Sequence, residues 1–458
     1  MRRVKQLLYT VMLGCMMLML CACENKSNEE LTSEITIETI ADEKSEISGK
    51  ITVWVRSSEL VNTKFAEYKK EFEAKYPGTE VEYKVVPNYE TMGYQSIVGG
   101  ADADVVMIPE KMTKDEVKKY FIPFGSTEEI AGKYKEAYIH KYEYDGVVYG
   151  IPEYMKPQGI AYNKRVLEYA GIVEIPETPE AFIDMLTTIK IDNNEIIPFY
   201  IDEDSLDNWE LHAWGSVSGD PDYHYNGMVM ETNPFSDGSP NYIVHKLLYD
   251  IEYNRLSQQY KINKTTAKKL LNRGDIACML VDFDEISSLQ KAGTNPDDIG
   301  YMPFPYNIDD QRYATLTYGY SYGIPAESDN KVTAEAFVSY MIKNSGYASS
   351  VGAISVKKKT SKPSLLRDFS GVTLVLDNPA TEDKEGKYQQ ICEKSGVALD
   401  DSDFKKIILQ VAKEARPGKK STEEQGEDET ASDLEEEPLP HNFDEIMESW
   451  YAKWKQAK

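Results

Sequence analysis

Cysteine is scarce in this chain, with only five residues among 458. Beyond residue 24 only Cys278 and Cys392 remain, which excludes a small fold held together by many disulfides. Cys278 lies in the apolar run 276–281, which is typical of a cysteine that packs as a small buried hydrophobic side chain. A single bridge between Cys278 and Cys392 stays open.

Positive charge is also in short supply. The chain has 51 Lys and Arg residues against 77 Asp and Glu residues, which gives a net charge of −26. Removal of an N-terminal signal that contains Arg2, Arg3 and Lys5 would take this charge to −29. Such a surface repels nucleic acid and anionic lipid headgroups, and it argues against a highly anionic ligand.

Motifs for metal or nucleotide binding are absent from the sequence. The five histidines show no H-E-x-x-H spacing, and no phosphate-binding or dinucleotide-binding glycine motif occurs. Asp220, Asp222 and His224 are neighbours, but they lie in a turn that contains proline and do not predict a metal site. We therefore expect no cofactor and no metal ion.

One pattern resembles a catalytic motif. Gly319 to Gly323 reads G-x-S-x-G, the nucleophile elbow of hydrolases, which requires a helix directly after it and an Asp and a His further on. Ile324-Pro325 follows instead, and the only later histidine is His441. The sequence therefore argues against a hydrolase.

The one long apolar run, Leu7–Leu20, lies behind three basic residues and is short for a membrane-spanning helix. It ends in Leu20-Cys21-Ala22-Cys23, which resembles a bacterial lipobox, so we expect a signal peptide over 1–22 and acylation of Cys23. The alternative is an ordinary signal peptide that ends near a cysteine. Residues 23–49 are polar and predict a disordered tether that spans roughly 30 Å as a coil.

Strand and helix signals then alternate along the chain. A β-branched strand at 50–55, a helix over 61–76, a strand at 81–85 and a buried run at 105–108 predict an α/β lobe. The length of the chain favours two lobes. Later signals predict helices over 179–190, 209–216, 242–253, 265–272, 331–343, 403–414 and 443–455, and strands over 196–201, 276–282 and 316–324. The charge-dense segment 417–440 predicts a mobile surface loop.

The order of several short motifs resembles the family 1 bacterial extracellular solute-binding proteins, the ligand-receiving lipoproteins of ABC sugar importers. The resemblance covers residues 49–343 and returns over 443–454. The motifs that carry it are Ile51-Thr52-Val53-Trp54, Tyr76-Pro77-Gly78, Ala103-Asp104-Val105-Val106, Tyr149-Gly150-Ile151-Pro152, Tyr162-Asn163-Lys164, Gly274-Asp275-Ile276-Ala277-Cys278-Met279 and Gly323-Ile324-Pro325-Ala326. Residues 355–440 depart from the family pattern.

This resemblance implies an α/β, two-lobed periplasmic-binding-protein-like fold with a cleft and interlobe hinge crossovers. The crossovers would fall near 153–159, 302–306 and 346–352. The first lobe would then contain 50–153 plus 306–346, and the second 159–302 plus 352–458. The protein would be a monomer on the extracellular side of the cell membrane that captures a mono- or oligosaccharide and delivers it to ABC permease subunits.

A sugar site needs aromatic platforms beside side chains that exchange hydrogen bonds with hydroxyl groups. By family position, we expect the contacts to come from loops at strand ends and from the first crossover. The candidate ligand-binding residues are Trp54, Ser57, Tyr89, Asp104, Tyr154, Lys156, Trp214, Asp282, Phe283 and Tyr320. Trp54 has an alternative as a packed strand residue and Asp104 as a backbone cap, whereas Tyr162, Asn163 and Lys164 are expected to be structural.

Two other functions stay open on the sequence alone. A lipid-anchored sensor or adhesion protein would use the same fold to bind a glycan or a partner. A glycosidase would need two carboxylates, such as Asp104 and Asp282, that face each other across the cleft, but sugar-binding sites contain such pairs equally often.

Overall fold

The computed structural model describes residues 47–56, 58–258, 262–361, 363–379, 382–399, 401–417 and 439–458. The predicted signal peptide, Cys23, almost all of the tether, the candidate Ser57 and nearly all of the acidic segment lie outside these residues. Within the described part of the chain, no helix combines the length and the apolar character that a membrane crossing requires.

The first lobe is organised around a mixed sheet. Parallel strands β1 and β2 connect to the rest of this sheet through a bridge between Val53 and Val105. Its strands are β1 (Gly49–Val55), β2 (Thr79–Val85), β3 (Val106–Met107), β4 (Gly125–Ser126), β5 (Tyr142–Tyr144) and β6 (Val147–Pro152). Its helices are α1 (Ser58–Asn62), α2 (Lys64–Lys75), α3 (Tyr89–Val98), α4 (Lys114–Tyr120) and α5 (Thr127–Lys133).

The chain then passes through β7 (Tyr154–Pro157) into the second lobe. The sheet of that lobe has the order β10-β9-β11-β8-β12, with strands β8 (Ile160–Asn163), β9 (Ile197–Tyr200), β10 (Ser257–Gln258), β11 (Ile276–Leu280) and β12 (Ile299–Met302). Its helices are α6 (Lys164–Tyr169), α7 (Pro179–Asp192), α8 (Glu203–Asp207), α9 (Trp214–Ser218), α10 (Met228–Met230), α11 (Pro240–Tyr253), α12 (Lys264–Arg273) and α13 (Phe283–Ala292).

A middle sheet lies between the two lobes. It consists of β7, β13 (Asn307–Ile308), β14 (Gln311–Tyr318), β16 (Ile354–Ser355) and β17 (Val372–Leu376). The chain returns to the first lobe through β15 (Ser321–Gly323), which pairs with β3 and β6, and through α14 (Lys331–Lys343) and α15 (Tyr347–Ser350). The last helices are α16 (Glu382–Ser395), α17 (Ser402–Glu414) and α18 (Phe443–Ala457). The lobe boundaries given above stay predictions.

The hydrophobic core forms two clusters. One surrounds the first-lobe sheet and continues through the middle sheet to Phe283 and Tyr301 on one face of the second-lobe sheet. The other fills the opposite face of the second-lobe sheet and includes Cys278, Trp209 and Trp454. Trp450 and Trp454 of α18 both pack against Phe235, so the last helix is part of this second core.

Local signals in the sequence explain several element ends. Thr178 caps α7 by accepting a hydrogen bond from the Ala181 amide, with Pro179 at the first helical position. Asn163 caps α6 through Val166 and donates to the Leu271 carbonyl oxygen at 2.8 Å. The Tyr-Asn-Lys tripeptide thus connects a strand, a helix and α12.

The structure differs from the sequence expectations at three places. The predicted strand 316–324 is two strands, because the chain leaves the middle sheet at Gly319 and enters the first-lobe sheet at Ser321. The predicted helix 209–216 begins only at Trp214, and a turn precedes it. The run 105–108 contributes a two-residue strand that is antiparallel to β15, and only Val105 makes a parallel bridge.

A buried charge cluster connects Lys405, in the region beyond residue 365 where sequence signals are weak, to Glu210 and His245. Lys405 of α17 donates to Glu210 at 2.5 Å and to the Leu399 carbonyl oxygen at 2.6 Å. His245 of α11 lies 2.6 Å from the other Glu210 oxygen. Burial alone would raise the pKa of Glu210, but Lys405 and His245 outweigh this effect and hold that pKa below its usual value. The cluster therefore joins α17 to the second lobe through charged hydrogen bonds.

We expect Lys405→Met to destabilise the protein by about 3–5 kcal/mol, because it leaves the buried Glu210 carboxylate without its cation. The neighbouring Lys406, whose ion pairs are on the surface, is the matched control, and Lys406→Met should change the stability little, because solvent screens those pairs. Urea unfolding followed by tryptophan fluorescence measures both, since Trp450 packs on His245. Equal shifts of the two variants would contradict the role given to Lys405.

Candidate ligand-binding site

The crossing strand β7 brings two side chains from the middle sheet to the second lobe. Lys156 donates to an Asp282 oxygen at 2.8 Å, and the Tyr154 hydroxyl donates to Asp284. Both aspartates lie where β11 ends and α13 begins. The Lys156 side chain is 18% exposed and that of Asp282 is 39% exposed, so the ion pair is partly buried but still accessible to solvent.

Both members of this pair stay charged. Burial would lower the pKa of Lys156, but Asp282 and Asp284 outweigh it and raise that pKa above its usual value. Burial would likewise raise the pKa of Asp282, but Lys156 holds it below the usual range. A partly buried ammonium and carboxylate of this kind offer strong hydrogen-bond partners to a polar ligand.

The first lobe contributes a second pair near Lys156. Lys141 donates to Glu110 at 3.1 Å, and its positive charge is the main reason that the pKa of Glu110 falls to about 2. The Glu110 side chain is 60% exposed, yet surrounding protein partly desolvates it, as expected for a group in a crevice. The charge of Lys156 also lowers this pKa, which places Glu110 and Lys156 within electrostatic reach of each other.

Aromatic rings accompany these charges. The Lys141 ammonium lies 5.7 Å from the ring centres of both Tyr142 and Tyr318. On the other side, Tyr154 packs edge to face on Tyr320 at 5.4 Å. Gly319 makes this arrangement possible, because a Cβ atom at that position would lie 2.5 Å from the Tyr154 ring. Charged hydrogen-bonding groups beside ring surfaces are what binding of a polyhydroxylated ligand requires.

The predicted site residues fall into two groups. The structure brings Tyr154, Lys156, Asp282 and Tyr320 together. Phe283 lies directly behind them, fully buried, with its ring 5.2 Å from that of Tyr301. This group comes from the crossover, the end of β11 and the segment between β14 and β15.

The remaining candidates make contacts within one lobe. Trp214 is 6% exposed, donates to Asn241 at 3.2 Å and packs on His224 in the second core. Trp54 is 3% exposed, and Lys84 lies 4.7 Å from its ring centre. The Tyr89 hydroxyl accepts a hydrogen bond from the Met107 amide at 3.0 Å.

Asp104 also acts within the first lobe. Its carboxylate accepts hydrogen bonds from the Thr52 amide at 2.8 Å, the Ser328 hydroxyl at 2.6 Å and the Asn330 side chain at 3.2 Å. These contacts fit the alternative of a backbone cap. A carboxylate engaged in three such bonds is a poor member of a catalytic pair with Asp282.

Sequence reasoning missed Glu110, Lys141 and Asp284. Glu110 follows the buried run 105–108 and Asp284 lies two residues after Asp282, so both stand at a strand end, the same signal that identified Asp282. Lys141 has no comparable signal, because it precedes the short strand β5, which sequence reasoning did not predict. Ser321, the serine of the G-x-S-x-G pattern, is the first residue of β15 and is 1% exposed, so it does not stand exposed at the end of a strand as a hydrolase nucleophile does.

The structure is that of a two-lobed α/β protein whose lobes meet at a polar and aromatic cleft. The family model for bacterial extracellular solute-binding proteins matches residues 58–348. The chain belongs to this family. The resemblance and the fold class inferred from the motifs are thereby confirmed.

Solved structures agree with this assignment. BlMnBP1, a binding protein of an ABC transporter from Bifidobacterium animalis subsp. lactis ATCC27673 in complex with mannobiose, matches with a TM-score of 0.77 and 28% identity, over 92% of this chain and 98% of that one. BlMnBP2 from the same organism, specific for manno-oligosaccharides, matches with the same score and identity over 93% and 99%. RafE in complex with raffinose, at 19% identity and a TM-score of 0.62, covers 80% of this chain and shares the fold.

Curated sequences give a shorter match. A putative binding protein from Brucella abortus strain 2308 is 30% identical over 118 residues, which is 24% of this chain. The chain spans only about 28% of the length of the curated relatives it matches. The family and these structural neighbours are binding proteins, and the family is extracellular.

The charges of the site predict how ligand affinity depends on pH. Because the pKa values of Glu110 and Asp282 are depressed, both carboxylates stay ionised as the pH falls from 8 to about 4, and the affinity should stay constant over that range. Lys141→Met removes the main cause of the Glu110 shift, so the acidic loss of affinity should move to a pH near that of an ordinary glutamate, about 4.3.

Titration calorimetry from pH 3 to 8 measures this shift, with Lys118→Met, which affects a surface pair with Asp145, as the control. An acidic limb at the same pH in Lys141→Met and in the unmodified protein would contradict the part given to Lys141. A limb that moves equally in Lys118→Met would do the same.

Proposed function

We propose that this protein is a lipid-anchored, extracellular solute-binding protein that captures a carbohydrate between its lobes and delivers it to the permease subunits of an ABC importer. The observation that supports this most directly is the ion pair between Lys156 of the crossover and Asp282 of the second lobe, with the first-lobe carboxylate Glu110 close enough to Lys156 for their charges to interact. A ligand that bonds to all three stabilises the closed arrangement by its greater affinity for that state. Cys23 would carry the lipid anchor, and the protein would act as a monomer.

Manno-oligosaccharides are the first ligands to test. The two neighbours at 28% identity were solved with mannobiose and mannotriose, and they cover nearly the whole of this chain. The site here offers alternating anionic acceptors and cationic donors beside tyrosine rings, a combination that suits the hydroxyl rim and the apolar face of a pyranose. We therefore propose a neutral oligosaccharide as the substrate.

We expect mannobiose or mannotriose to raise the melting temperature reversibly and to be recovered intact. Stabilisation by a ligand at 100 times its Kd is about 2.7 kcal/mol, which corresponds to a shift of several degrees. A panel that includes maltose and raffinose tests specificity, and chromatography of the supernatant tests for cleavage. Release of shorter sugars would instead support a glycosidase. The absence of a shift with any sugar would favour a sensor or adhesion protein that binds another partner.

Lys156→Met should weaken sugar affinity by about 10-fold to 100-fold, because a charged hydrogen bond contributes about 1.5–3 kcal/mol. This change also leaves Asp282 without its cation, so the double variant Lys156→Met/Asp282→Asn separates binding from stability. It should fold with near-normal stability and still bind poorly. Calorimetry measures the affinities, with Lys118→Met as the control. Full affinity in the folded double variant would exclude this pair from the ligand site.

A further inference from the structure

One acidic residue at the start of the crossover has no charged partner. Glu153 lies between β6, which belongs to the first lobe, and β7, which enters the middle sheet. It is 1% exposed, and its carboxyl oxygen Oε2 is buried without a hydrogen-bond partner. Its backbone amide donates to the Tyr320 carbonyl oxygen at 3.0 Å. Glu153 is therefore fixed directly beside a residue of the candidate ligand site.

The groups that face the Glu153 carboxyl are tyrosines. Those whose pKa its negative charge would raise come from the segment before β15, from β15 itself, from α15 and from α2, and they are Tyr320, Tyr322, Tyr347 and Tyr68. The hydroxyl groups of Tyr320 and Tyr322 are also buried, and neither forms a well-aligned hydrogen bond. Among the described residues, no lysine or arginine offsets the effect of burial on Glu153. A negative charge on this carboxyl would thus be stabilised by neither a cation nor a hydrogen bond.

Burial keeps Glu153 in its neutral form. It raises the pKa of this carboxyl well above the usual value, because removal from water disfavours the charged state. Buried glutamates without a cation can reach pKa values of about 8–9. A neutral carboxyl group both donates and accepts hydrogen bonds and is compatible with surrounding hydroxyl groups, whereas a carboxylate in the same place would require water to enter.

The tyrosines around Glu153 are continuous with the wall of the cleft. The ring centre of Tyr320 lies 5.4 Å from that of Tyr154 and 5.5 Å from that of Tyr322. The Tyr154 hydroxyl in turn donates to Asp284 of the second lobe. Water that enters to solvate an ionised Glu153 has to displace these rings, and the displacement changes the aromatic surface that the ligand would contact.

We propose that Glu153, in its protonated form, is a positioning residue that holds Tyr320 and Tyr154 in place, so that ligand affinity is lost at alkaline pH. If only the protonated form binds, the affinity falls about tenfold for each pH unit above the point at which Glu153 ionises. The values that buried glutamates reach put the start of this loss at about pH 8. It is separate from the acidic loss that involves Glu110 and Asp282. The inference rests on the proposed sugar binding and adds a regulation of the same site.

The test replaces the carboxyl by a group of the same shape that cannot ionise. Calorimetry with mannobiose from about pH 6 to about 9.5 should show the alkaline loss in the unmodified protein. Glu153→Gln should bind with similar affinity at pH 7 and keep this affinity over the alkaline range. A loss of packing alone would instead weaken binding at every pH.

Glu335 of α14 provides the matched control. It is also 1% exposed, and its Oε2 also lacks a hydrogen-bond partner. Burial raises its pKa to about 8, against the opposing charge of Lys133 of α5. Because Glu335 has no contact with the tyrosines of the cleft, Glu335→Gln should show the same alkaline loss of affinity as the unmodified protein.

Two measurements require no ligand. Near-ultraviolet circular dichroism reports the packing of the buried tyrosines, and it should change above about pH 8 in the unmodified protein but not in Glu153→Gln. The infrared band of neutral carboxyl groups at pH 7 should lose one component in each single variant. Folding takes up a proton at Glu153, so stability falls as the pH rises from about 4.3 towards the raised pKa, and Glu153→Gln should remove part of this fall.

Several outcomes would overturn the inference. An equal alkaline loss of affinity in Glu153→Gln and in the unmodified protein would do so, and so would an affinity of the unmodified protein that stays constant to about pH 9.5. A dichroism change that persists in Glu153→Gln would show that another group titrates. If mannobiose and the other sugars bind at no pH, the proposed function fails, and the dichroism and infrared measurements still decide whether a neutral Glu153 holds the tyrosines.

Discussion

The ion pair between Lys156 and Asp282 is the constraint on which the cleft depends. A strand that crosses between two lobes is surrounded by protein, and a lysine on it must find a carboxylate or lose its charge. Asp282, at the end of β11, provides that carboxylate at 2.8 Å. The middle sheet is thereby connected electrostatically to the second lobe at the position where a ligand can also reach both groups.

The neighbours of β7 determine how the lobes can move. Leu316 of β14 pairs with Pro157, and Ile354 of β16 pairs with Met155, so three segments of chain between the lobes form one sheet. Strands that are hydrogen-bonded to each other move together, and a change in the angle between the lobes then has to occur at their ends. Gly319, directly after β14, and Gly352, which has a φ of 76° and lies two residues before β16, are close to two of these ends.

Most of the fold was predictable because its signals are local. The helix over 331–343 was predicted with the bounds that the structure has, and the strands at 50–55 and 196–201 within one residue at either end. Strand β17 was missed because it exists through parallel pairing with β14, some 60 residues earlier in the chain, and sequence periodicity cannot express such a pairing. The turn before α9 was missed because the aromatic and apolar residues around Trp209 fit a helical pattern equally well.

The part of the candidate site that could be predicted consists of residues on the crossover or at the ends of strands. Tyr154, Lys156 and Asp282 could be named from the crossover and from the end of an apolar strand. The sequence could not show whether the Trp54 ring forms part of a ligand site or packs in the core, because a tryptophan at a strand end gives the same signal in both cases. In the structure the side chain is 3% exposed and therefore packs in the core. Lys141 could not be named, because its contact with Glu110 depends on where the hairpin of β5 and β6 lies relative to Glu110, and only the tertiary structure shows this.

The charges of the cleft also indicate which kind of ligand it can bind. Lys156 and Lys141 each have a carboxylate partner, and Asp284 adds one further acid, so the five groups together come close to neutrality. A cleft that discriminated for anions would present uncompensated cations. An uncharged ligand with many hydroxyl groups can bond to paired charges without separating them, since each hydroxyl both donates and accepts. The distribution of charge in the cleft therefore fits a neutral sugar.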